Sequence, residues 1–145
     1  VPEAMLRELF WPSVAILSAM LGELCRQDGS PVFILGTPPP KRDEGTIKGY
    51  LVTEPKLLAL AGEKGYSLDD VAVTPAIVRL KLWCVVQELM AELASANRAS
   101  FVEVPPETQD ELGFLRPEFG APDATHANPL YGRLMLDRLL DRVRP

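Results

Sequence analysis

The sequence predicts an α/β fold built around a parallel sheet. Two short apolar runs, Val32-Phe-Ile-Leu-Gly-Thr37 and Ser100-Phe-Val-Glu-Val104, read as strands between stretches with helical apolar spacing. Each run is closed by prolines that cannot continue a ladder, Pro38-Pro39-Pro40 and Pro105-Pro106. The order helix–strand–helix–helix–strand–helix is that of parallel strands joined by helical crossovers.

The elements follow in order. Ala4, Met5, Leu6, Leu9 and Phe10 give residues 3–11 an apolar helical face, which Pro12 is expected to end or kink. A second helix is expected over 13–27, with Val14, Leu17, Leu21 and Leu24 on its buried stripe and the turn Asp28-Gly29-Ser30-Pro31 closing it. The run 32–37 reads as a strand buried on both faces. Residues 41–54, charged and glycine-punctuated, read as a long exposed loop, the Lys41-Arg42-Asp43-Glu44 run as solvated. Pro55 sets the first turn of a helix to about Lys64, and Ser67–Asp70 reads as a small turn. A long helix is expected from Pro75 to Asn97 with Thr74 as its cap, burying Ile77, Leu80, Trp83, Cys84, Gln87, Met90, Ala91 and Ala94. Asn128 caps the last helix, which starts at Pro129 and runs to about Val143. Two strands cannot sustain a doubly wound sheet, so part of the sheet is expected outside these residues.

With 145 residues, 47% hydrophobic and 24% charged, the chain can bury the core of a single domain, 1–145. A net charge of −5, with no Lys/Arg run longer than a pair, suits no phosphate backbone, so nucleic acid is not an expected partner. No apolar stretch reaches the roughly 18 consecutive residues of a membrane span, and no signal peptide is expected. Cys25 and Cys84 fall in helical patterns with no Cys or His at ligand spacing, so both are expected to be small buried hydrophobes. Without a disulfide framework, the expected compartment is a reducing one, the cytoplasm.

The chemistry concentrates in Asp123-Ala-Thr-His-Ala-Asn-Pro-Leu-Tyr-Gly132, which holds the only histidine, His126. A histidine base needs a carboxylate to hold its tautomer, and Asp123, three residues earlier in a turn, can reach Nδ1. The loop lies beyond the second strand, where open parallel sheets place their sites. Turn and capping chemistry alone would account for the same residues.

These stretches carry a resemblance. The block Asp123-Ala-Thr-His126 just before the last helix, extended by Asn128-x-x-Tyr131-Gly132, resembles the closing Asp-x-x-His block of SGNH (GDSL-type) hydrolases. Leu35-Gly-Thr-Pro-Pro-Pro40, Arg79-Leu-Lys-Leu-Trp83 and Asp123-Ala-Thr-His-Ala-Asn128 are similar to one bacterial branch of that family, and the likeness runs from about residue 14 to the end. The resemblance implies a three-layer α/β sandwich with a central parallel sheet, of which this chain is the C-terminal portion. It implies hydrolysis of a small-molecule carboxylic ester through an acyl-serine, with His126 as base and Asp123 as orienter, and no cofactor or metal. The family's Gly-Asp-Ser nucleophile block, its second-block glycine and its Gly-x-Asn-Asp block are absent. Asp28-Gly29-Ser30 inverts the order and sits before a strand, not after it, so it does not serve. The nucleophile would come from a preceding segment or a second chain, or the protein is a non-catalytic binding or scaffold domain derived from such a hydrolase, with a homo-oligomer as a further option. Thr37, Pro38 and Pro39 are candidate walls of the substrate pocket, the alternative being a plain strand terminator; Arg79 and Trp83 read as structural.

Overall fold

The computed structural model describes residues 2–26 and 30–144. It contains α1 (Glu3–Leu24), β1 (Phe33–Leu35), α2 (Glu44–Leu51), α3 (Pro55–Lys64), α4 (Ala76–Ala96), β2 (Ser100–Val102) and α5 (Pro129–Val143), with 3-10 turns at Leu68–Asp70, Pro106–Thr108 and Pro117–Phe119. The expected fold class is corrected. Among the described residues the chain is 61% helical, 3-10 turns included, with five α-helices, and its sheet has only two strands. A three-layer sandwich with a central sheet is not present among the described residues, because strands of three residues, two in number, cannot carry helical layers on both faces. The two strands do pair in parallel, Phe33 with Ser100, Ile34 with Phe101 and Leu35 with Val102. The run 33–35 is not buried on both faces: Ile34 is buried, whereas Leu35 is 37% exposed.

The chain divides into two compact units, one of Val1–Thr37, Lys81–Pro105 and Met135–Pro145, the other of Pro38–Leu80 and Pro106–Leu134. In the first unit, α1 is one continuous helix where a break at Pro12 was expected. Proline removes a hydrogen bond and crowds the preceding turn, and the packing of Val14, Leu17 and Leu21 with Ile34, Leu93 and Ala94, together with the ion pairs of Arg7 with Glu88 and Glu92, outweighs it. Asp28 and Gly29 of the expected closing turn, and the expected helix end at Gln27, lie outside the described residues. The face of α1 away from that core exposes Met5, Leu9, Ile16 and Met20. Unbroken, α1 is long and apolar enough by length and composition to cross a membrane, although it holds no run of 18 consecutive apolar residues.

The buried face of α4 in this unit is Val85, Leu89, Leu93 and Ala94. That departs from the expected stripe: Cys84 is exposed and Cys25 half-buried, so neither is a core hydrophobe. The helix carries apolar residues nearly all round, and periodicity therefore selects no single face. Gly36 extends the ladder by donating to Val102 O at 2.9 Å. A Cβ there would lie 2.7 Å from Gln87 Oε1 and 3.0 Å from Val104 Cγ2, so only glycine allows this approach.

In the second unit, the expected loop 41–54 is largely α2. Asp43 caps it, accepting from Thr46 N at 2.5 Å, and Ile47 is buried. Lys48 donates to the carbonyls of Leu68, Asp69 and Val71, closing the 3-10 turn at 68–70. The N-terminus of α4 is served by Glu44, which accepts from Ala76 N at 2.7 Å, a cap supplied from 32 residues away. α3 ends at Gly65, whose φ of 73° lets Tyr66 N reach Ala61 O at 3.1 Å. Phe114, Leu115, Ile47, Ala61, Leu80 and Tyr131 are buried in this unit.

Candidate functional site

The segment from Gly120 to Asn128 is a narrow loop held by its own backbone. Gly120 and Ala127 form an antiparallel bridge, and Ala121 N donates to His126 O at 3.0 Å. Asn128 locks the exit: its N–H donates to Phe119 O at 2.8 Å and its Nδ2 to Glu118 O at 2.7 Å. Its Oδ1 accepts from Leu130 N at 3.0 Å and Tyr131 N at 3.3 Å, capping α5 at the position its sequence indicated. Burial pushes the Tyr131 hydroxyl, one turn into that helix, up to about 12.

Inside the loop, the two oxygens of Asp123 divide their work. Oδ1 accepts from Thr125 N at 2.8 Å and His126 N at 2.7 Å, an Asx turn that shapes the backbone. Oδ2 lies 3.0 Å from Nδ1 of His126. These contacts, led by the N–H of His126, hold the Asp123 carboxyl near 2, against an ordinary 3.8. The carboxylate is thus ionised at any neutral pH and fixes Nδ1 as the donor. The other ring nitrogen is left outward on a side chain 79% exposed. Such a pair can take a proton from a hydroxyl brought to Nε2 and share the resulting charge with Asp123.

The chain matches no protein-family model, no curated protein and no solved structure. What the site can do is therefore read from its own geometry. Beside Asp123, an open cleft of about 900 Å³ is lined by Ala121, Pro122, Lys41, Arg42, Tyr50 and Arg116, among others. His126 is not among its lining residues. Among the described residues, no three His, Cys, Asp or Glu side chains come together to hold a metal ion.

The candidate pocket walls lie elsewhere. Thr37, in the first unit, is exposed, accepts from Trp83 Nε1 through its carbonyl at 3.0 Å and from Gln87 Nε2 through its hydroxyl at 2.7 Å. Pro38, in the second unit, is half-buried, and Pro39 is fully enclosed with no surface to offer a ligand. None of the three lines the cleft. Arg79 has the structural role expected of it, donating to the carbonyls of Thr74, Lys41 and Arg42.

The residue that the sequence did not reveal is Lys41. Its ammonium donates to Ala121 O at 2.6 Å and to Asp123 O, and sits 3.6 Å from Asp123 Oδ1. It comes from 82 positions before Asp123, beyond any local spacing rule. The one local signal was its place directly after three prolines that pin the backbone.

Proposed function

We propose that this chain supplies the histidine base and the orienting aspartate of an SGNH-type carboxylic-ester hydrolase acting on a small-molecule ester. The observation that carries the reading is the 3.0 Å contact of His126 Nδ1 with an ionised Asp123, the second ring nitrogen being open to solvent. The serine and the oxyanion donors come from residues outside this sequence. In the reaction, the serine oxygen attacks the ester carbonyl while His126 Nε2 takes its proton. The proton passes to the alkoxide as the C–O bond breaks, leaving an acyl-serine, and a water activated by the same nitrogen releases the acid. Asp123 stays ionised and steadies the imidazolium. No metal or cofactor enters these steps.

A second reading, a non-catalytic binding domain derived from such a hydrolase, is favoured by one fact: His126 does not face the cleft beside Asp123. Expression of the whole coding sequence containing this chain, assayed on short-chain p-nitrophenyl esters, separates the two. The hydrolase reading expects His126→Ala to lower turnover by roughly three or more orders of magnitude and Asp123→Asn by somewhat less. Folded His126→Ala protein with near-normal rates would show that another group is the base, and absence of hydrolysis by the unmodified protein would leave the binding domain.

A further inference from the structure

Lys41 is a poor surface lysine by every measure of its surroundings. Its side chain is only 13% exposed. The ammonium donates to two carbonyls of one turn, those of Ala121 and Asp123, and stands 3.6 Å from the carboxylate Oδ1 of Asp123 as an ion pair. The Tyr50 ring lies 5.6 Å from the ammonium, within cation–π range. Its stem runs past Gly120, where a Cβ would come to 3.3 Å of Lys41 Cε, so the missing side chain leaves the lysine its path. The backbone of Lys41 is fixed as well: Arg79 Nη2 donates to its carbonyl at 3.0 Å, and Leu115 N donates to the preceding Pro40 O at 3.1 Å.

We infer that Lys41 is the positioning residue of the His126–Asp123 pair: anchored on the Asp123 turn, its ammonium holds Oδ1 so that Oδ2 is presented to Nδ1 of His126. A lysine ammonium is a strongly hydrated ion, and enclosing one has a cost that two hydrogen-bonded carbonyls and an adjacent carboxylate charge offset. The arrangement uses that cost to define one geometry for a loop that otherwise has little packing. His126 is mostly solvent-exposed, so its ring has no core wall to set its angle. The carboxylate supplies the angle, and Lys41 together with the N–H groups of Thr125 and His126 sets the carboxylate. The inference rests on the His–Asp reading above for its use, not for its geometry.

Nuclear magnetic resonance tests it, since the chain has one histidine and its ring signals need no assignment. Long-range ¹H–¹⁵N spectra at alkaline pH, where imidazole is neutral, distinguish the two tautomers. Unmodified protein is expected to show the Nδ1–H form. In Lys41→Met, which keeps the stem and removes the ammonium, the Nδ1–H pattern is expected to give way to the Nε2–H-rich mixture of a free imidazole, with circular dichroism unchanged. A folded Met variant with the unmodified pattern overturns the inference. Should that variant not fold, the unmodified protein still decides: the Lys41 ammonium should give a slowly exchanging ¹H–¹⁵N signal with a nuclear Overhauser contact to Tyr50. An ammonium exchanging as fast as that of a free lysine overturns the inference. An Nε2–H histidine in unmodified protein would refute the His–Asp pair and the positioning role with it, even beside a protected Lys41 ammonium.

Discussion

Replacing Asp123 separates the charge of the carboxylate from its shape. Asp123→Ala removes an acceptor for two backbone N–H groups, the partner of His126 Nδ1 and the counter-ion of Lys41. Asp123→Asn keeps an oxygen for the two N–H groups but removes the charge and puts an NH2 donor where Oδ2 accepted from His126 Nδ1. Capping-type bonds of this kind contribute about 0.5–1 kcal/mol each, so Ala should cost roughly 1.5–2 kcal/mol and Asn about 0.5–1 kcal/mol. The pH dependence follows from the carboxyl group being held near 2 in the folded chain against 3.8. A folded value below the unfolded one means that the stabilisation is present above about pH 4 and is lost as pH falls toward 2. Unscreened, that displacement corresponds to a little over 2 kcal/mol; the side chain is 42% exposed, which reduces it to about 1 kcal/mol. Urea unfolding of the three proteins, in steps from near pH 7 to near pH 3, should show the Asn variant's deficit shrinking with acidity. The Ala variant should keep the part of its deficit that comes from the two N–H groups. A gap between unmodified and Asn protein that stays constant over that range would show that the carboxylate charge does not stabilise this loop.

His126→Ala should change stability by less than about 0.5 kcal/mol, since the side chain is 79% exposed; a larger loss in thermal unfolding would assign the ring a packing role. Arg98 adopts a left-handed φ of 61° just after α4, so Arg98→Gly should stabilise the chain by about 0.5–1 kcal/mol, read as a higher urea midpoint. Gly36→Ala should cost about 1–3 kcal/mol, because the new Cβ meets Gln87 Oε1, Val104 Cγ2 and the Val102 carbonyl within 3.3 Å. Equal midpoints for Gly36→Ala and unmodified protein would mean that β1 and β2 shift apart at no cost.

Where local chemistry decides structure, the sequence was legible. Asn128-Pro129 starts α5, Pro55 starts α3 and the Asp-x-x-His spacing closes to a 3.0 Å contact, because each depends on residues within a few positions. Where distant partners decide, it was not. α2 looked like a loop because its two glycines lower helix propensity, and it is held by Lys48 reaching the 68–71 carbonyls and by Ile47 entering the core. α1 crosses Pro12 because tertiary contacts support it on both sides, the Arg7 ion pairs with Glu88 and Glu92 before it and the packing of Val14, Leu17 and Leu21 after it. The apolar runs around 33 and 101 marked true strands in the right relative direction, but apolar content says nothing about how many neighbours a strand has, and a layered sheet was inferred from two. Lys41 illustrates the same limit at the candidate site, since an ammonium can find its carbonyls from anywhere in the chain.

The pairing of Phe33 with Ser100 has a consequence for the order in which the molecule assembles. The ladder closes a loop of roughly 65 residues, an entropic cost paid before the few backbone bonds of a three-residue parallel pair return anything. α1 can form as soon as it is made, but Ile34, which packs in the cluster with Leu21 and Leu93, must wait for its strand partner. During synthesis β2 leaves the ribosome several seconds after β1, at the usual rate of about 5–20 residues per second. For that interval the nascent chain carries a long apolar helix and an unpaired apolar strand side by side, the combination that chaperones bind, and its yield in the cell should depend on them more than its size suggests.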